Sequence, residues 1–86
     1  MAARLAPDPD FKPSIAQQID EVRRELAQRQ QVYRGLIGQG KMRQSEADYR
    51  IGCMTAVLAT LEYMQTHRET IIAAVKATKQ AETADA

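Results

Sequence analysis

The chain has 86 residues, a formal net charge of +1 and a hydrophobic share of 44%, which leaves room for one domain of ordinary apolar content. It has no Trp, one Phe and a single cysteine, Cys53, so an internal disulfide is excluded and a four-ligand zinc site is disfavoured. The near-neutral charge gives no general electrostatic reason to expect nucleic-acid binding. Aliphatic packing must therefore supply most of the folding energy.

The N-terminal arm, residues 1–13, contains all three prolines and is predicted to be extended, because proline lacks an amide donor and restricts the residue before it. Leu5 and Phe11 are its bulky apolar residues and could dock on a helix; the alternative is a mobile arm, as chain termini often are. No apolar run would span a membrane, and the N-terminus lacks the apolar core of a secretion signal. We therefore expect a cytoplasmic protein.

A first helix is predicted over about residues 14–37. Ser14 is a suitable N-cap, and Gln17 three residues later completes a capping-box pattern. Apolar residues then recur at alternating spacings of four and three, which is typical of a helix with one apolar stripe. That stripe has one polar member, Arg29, and comprises Ile15, Ile19, Val22, Leu26, Arg29, Tyr33 and Leu36.

A turn is predicted over residues 38–43, because the glycines there can adopt the left-handed conformation that ends a helix. A second helix is then predicted over about residues 44–80, with apolar positions at helical spacing on both sides of a polar interval. Residues 81–86 are small and polar and predict a flexible tail. The predicted fold is all-α, an antiparallel two-helix hairpin with a long second helix.

This second helix, at roughly 50 Å, would extend beyond the first, at roughly 36 Å, and leave its last apolar residues uncovered. The N-terminal arm could fold back over them, the helix could bend near residues 66–69, or a second copy could cover them. Because two helices alone bury little apolar surface, we expect self-association into a helical bundle. The residues expected in that interface are Ile19, Val22, Leu26, Met54, Leu58, Leu61, Ile71, Ile72 and Val75.

No set of residues matches a catalytic or metal-binding site. Cys53 and His67 would lie about 20 Å apart on one helix, too far for a nucleophile and its base. No glycine pattern matches a phosphate-binding loop. We predict that the chain is not an enzyme and uses neither a cofactor nor a metal.

Positive charge is concentrated near the turn, since residues 23–50 carry about +4 and the rest of the chain about −3. Tyrosines among arginines can stack a base and neutralise phosphate. The alternative is a solvated basic tip whose tyrosines seal the hairpin core. Direct DNA binding is disfavoured, because the second helix runs on without the break of a helix-turn-helix unit. The candidate ligand- or partner-binding residues are Arg29, Tyr33, Arg34, Lys41, Arg43, Tyr49 and Arg50.

A pattern over residues 18–62 comprises residues 21–26, Arg29, residues 32–33, 40–42 and 46–47, Met54 and residues 57–61. It resembles small bacteriophage and prophage proteins of unassigned function, and departs from them at Arg43, where Ser or Thr is commoner. The resemblance implies a helical hairpin in a bacterial host and carries over no active site. The favoured hypothesis is an accessory protein that binds a host defence or regulatory protein. The alternatives are an oligomer that binds a nucleotide or small ligand at the basic tip, and a structural helper in assembly.

Overall fold

The computed structural model describes residues 10–84, and this part of the chain is all-helical. Its elements are α1 (Ile15–Gly38), α2 (Gln44–Thr66) and α3 (Arg68–Ala84). α1 and α2 pack along each other as a hairpin, whereas α3 contacts α2 only near their junction. The predicted all-α class is confirmed. The contact predicted for Leu5 and the last two residues of the predicted tail lie outside the described residues.

Local hydrogen bonds explain where α1 begins and ends. The Ser14 hydroxyl accepts from the Gln17 amide at 3.1 Å, and the Gln17 side-chain oxygen accepts from the Ser14 amide at 2.8 Å, which is a complete capping box. At the other end, the Gly40 and Lys41 amides donate back to the carbonyls of Ile37 and Leu36 at 3.0 and 2.8 Å. This is a Schellman ending, and Gly40 supplies its left-handed residue with φ of 73°.

The chain breaks at His67, so the predicted continuous helix over residues 44–80 is wrong. His67 has φ of −103° and ψ of 17°, and neither glycine nor proline stands beside it. The bend brings Ile71 and Ile72 next to Ile15 and Met64, around a depression of about 230 Å³. A straight helix would carry these isoleucines past the end of α1. Ile71 is half-buried at this depression, whereas Ile72 stays exposed.

The hairpin has almost no core. Among the described residues only Ile19, at 3% exposure, and Ala47, at 4%, are buried. The radius of gyration is 19.1 Å, against about 12 Å for a compact domain of this length. The accessible surface is 7075 Å², which is about 2,000 Å² more than expected for a compact protein of this mass. A single copy thus leaves an unusually large surface in contact with water.

Ile19 is the one large apolar side chain that the hairpin buries, so Ile19→Ala should lower the free energy of unfolding by about 2–4 kcal/mol. The matched change Ile72→Ala, at an exposed isoleucine, should cost less than about 1 kcal/mol. Urea unfolding followed by circular dichroism measures both values. Equal costs would mean that Ile19 is not the centre of the hairpin.

Two nearby glycines should respond oppositely to alanine. Gly40→Ala places a Cβ on a left-handed residue and should cost about 1–2 kcal/mol. Gly38→Ala lies in the last turn of α1 with open space around it and should stabilise by up to about 1 kcal/mol. Thermal unfolding of the two variants compares them directly, and a stabilising Gly40→Ala would contradict the Schellman ending.

Candidate binding surfaces

The basic tip divides its candidate residues between two separate depressions. Lys41, Arg43 and Tyr49 line one of about 610 Å³, together with Glu46. A second, of about 430 Å³, is lined by eight residues that include two of the candidates and a carboxylate: Tyr33, Arg34 and Asp48. Each depression therefore combines cations with an acidic group, and the tip does not gather its positive charge at one point.

The remaining two tip candidates form ion pairs within their own helices. Arg29 Nε lies 3.2 Å from Glu25 Oε1, and Arg50 Nε lies 3.3 Å from Glu46 Oε2. Both pairs join residues one helical turn apart and are partly exposed, so each adds little to stability while reducing the local positive charge.

The two tip tyrosines have different environments. Tyr33 is half-buried against the end of the hairpin, whereas Tyr49 is 71% exposed. Of the two, only Tyr33 is placed to seal the hairpin. The ring of Tyr49 stands in water beside Arg43 and Glu46, where it is open to contact by another molecule.

One long side of the hairpin, here called the apolar side, carries a groove of about 930 Å³ between α1 and α2. Phe11 from the N-terminal arm, Val22 of α1, and Val57 and Leu61 of α2 supply its apolar lining. Val57 is 45% exposed, and Cys53, one helical turn before it, is also exposed. Large apolar side chains thus face water along this side.

The opposite long side, here called the polar side, is held by a salt bridge between the helices. Arg23 Nη2 of α1 lies 2.6 Å from Glu62 Oε2 of α2. Thr55 lies on this side of α2 by its helical position, and its hydroxyl donates to the Ile51 carbonyl at 2.8 Å. The two sides therefore differ: the polar side carries the salt bridge that joins the helices, and the apolar side carries uncovered apolar groups beside the Arg24–Glu21 ion pair of α1.

α3 presents a third surface. Beyond its contact with α2 near the bend, it has no helix packed along it in the described part of the chain. Val75 is 50% exposed, and it shares a shallow depression with Ala74, Thr78 and Lys79. Ile72 is exposed one turn before Lys76. α3 is thus a projecting helix with an uncovered apolar stripe.

The residues expected for self-association occupy different places. Four of them lie on the faces that α1 and α2 turn toward each other and already serve the hairpin: Ile19, Leu26, Met54 and Leu58. Val22 and Leu61 line the groove, and Ile71, Ile72 and Val75 lie on α3. The residues predicted for binding or self-association did not include two exposed members of the apolar side, Cys53 and Val57. A signal for them existed, since residues 51–61 contain no charged side chain.

No group of three or more His, Cys, Asp or Glu side chains in residues 10–84 is placed to hold a metal ion. No helix in that same range has the length and apolar character needed to cross a membrane.

We expect nucleotides to raise the melting temperature by less than about 1 °C, because ligand stabilisation scales with affinity and the tip cations are divided and partly neutralised. Thermal unfolding with adenine and guanine nucleotides measures this. A larger rise that disappears in the double variant Arg34→Ala, Arg43→Ala would show that the tip binds a nucleotide after all.

No protein family, curated protein or solved structure matches this chain. The resemblance to small phage proteins accordingly stays a prediction from the sequence. The functional proposal below therefore depends on the geometry and the physical chemistry of the described residues.

Proposed function

We propose that this chain is a non-enzymatic binding protein that presents α3 to an apolar groove on another protein. The observation that carries the proposal is the projection of α3 beyond the hairpin, with Ile72 and Val75 exposed. Insertion of an amphipathic helix into a groove is a common mode of protein recognition, and apolar residues three and four positions apart anchor it.

The energetics of α3 support this role. It has 17 residues, and isolated helices of about this length are marginal in water. Ala74, Val75 and Thr78 fall at spacings that place them on one stripe, which continues outward from the half-buried Ile71, so a groove could cover these three together. Covering the stripe would remove apolar surface from water and stabilise the helix in one event.

The resemblance to phage and prophage proteins supports a more specific version of the proposal. In that version the chain is an accessory protein in the cytoplasm of a bacterial host, and its partner is a host defence or regulatory protein. Inhibition would follow if α3 occupied a groove that the host protein uses for another ligand.

The test compares two aspartate substitutions on opposite faces of α3. Immobilised wild-type protein should retain one protein from its host in near-equal amount, and Val75→Asp should reduce this retention at least tenfold, because it places a charge in the apolar stripe. Ala77→Asp, two residues away and on the opposite face, is the matched control and should retain the protein. Absence of any retained protein, or equal retention by Val75→Asp, would overturn the proposal.

A further inference from the structure

The middle of α2 is apolar on more faces than the hairpin covers. Residues 51–61 contain no charged side chain, although only one face of α2 packs on α1. Helices that are apolar all round are normally buried on all sides. A second stripe on α2 lies on the apolar side, next to the groove. This stripe, called the α2 face below, consists of Cys53, Val57, Thr60 and Met64, at spacings of four, three and four.

We propose that the α2 face packs against the same face of a second copy, so that two hairpins form a four-helix bundle. The occupant is a second copy of this chain, and the interface is centred on Val57 and Thr60. This inference goes beyond the proposed function, which places a different protein on α3, and neither depends on the other.

The area available matches what a stable dimer needs. The chain exposes 7075 Å², about 2,000 Å² more than a compact protein of its mass. A standard interface covers about 800 Å² on each partner, and obligate dimers cover more. The groove adjoins the α2 face at Val57, with Phe11 and Val22 along it. Its other walls carry polar side chains that would form the rim of the interface: Gln17, Gln18, Asp20, Glu21 and Arg24.

The apolar side must be covered whenever the chain is folded, and this requirement favours a second copy over a foreign protein. Two buried residues in the described chain cannot offset the conformational entropy lost when three helices form. Whatever covers the apolar side must therefore be present whenever the chain is folded. A second copy meets this condition, because it is made together with the first.

The chemistry of the α2 face suits contact with itself. In a two-fold interface the same surface of each copy meets its equivalent on the other. A charged face would therefore meet charges of the same sign and be repelled. The α2 face itself carries no charged side chain, and two ion pairs within α1 join Arg24 to Glu21 and Arg29 to Glu25. The Thr60 hydroxyl donates to the Ala56 carbonyl at 3.1 Å, so burial would leave this donor satisfied.

Light scattering across a dilution series tests the interface with two matched variants. The wild type should have twice the chain mass of 9.6 kDa. Val57→Arg should weaken self-association at least about 100-fold, as expected for a charge at the centre of an interface. Thr55→Arg changes a side chain of the same shape on the polar side of the same helix and should keep the dimer mass. A loss of helix in Val57→Arg but not in Thr55→Arg would also support the interface, because the separated hairpin buries only Ile19 and Ala47 among its described residues.

The thiol of Cys53 gives a second measurement that needs no substitution. It is exposed in the single copy, so it should react with a thiol reagent at least about tenfold more slowly in the dimer and regain full rate on dilution. Three results would overturn the proposal: a monomeric mass at every concentration, a dimer in which Cys53 reacts at full rate, or a Val57→Arg variant that stays dimeric. All these measurements use purified protein, so their outcome is separate from whether α3 captures a host protein.

Discussion

A pair of helices can cover only one face of each member, and this constraint shapes the whole molecule. α1 and α2 bury Ile19 and Ala47 between them and half-bury their other facing residues. Everything else apolar on α2 and α3 stays in water unless another element covers it. The bend at His67 recovers part of this surface by bringing Ile71 toward Ile15. The remainder lies on the apolar side of the hairpin and on α3, where a single copy leaves it exposed to water.

The sequence predicted those features that depend on a few neighbouring residues. Ser14 with Gln17 sets the beginning of α1, and the glycine at position 40 sets the turn, because each acts through hydrogen bonds or dihedral angles within about one helical turn. The bend at His67 was not predicted as the outcome, only as one of three arrangements. No glycine or proline interrupts the helical pattern there, so the sequence carried no local signal that would have chosen this arrangement.

The same distinction applies to the candidate surfaces. Counting cations near the turn identified a basic tip, but the count did not include the partners one turn away, Glu25 for Arg29 and Glu46 for Arg50. On α2, helical spacing alone did not separate Val57 from the apolar residues that pack on α1. The charge-free run over residues 51–61 was the available signal, because a helix facing water on one side normally carries charges there.

The junction at His67 also divides the chain into two parts that can change independently. Apart from the contact of Ile71 and Ile72 with the end of the hairpin, α3 shares no packing with α1, so substitutions along its outer turns leave the α1–α2 pairing unaltered. A chain built in this way can vary its last helix through successive mutations while the hairpin and any assembly it forms stay the same. Selection for binding to new partners would then act on α3, about one fifth of the residues, with little loss of folding stability.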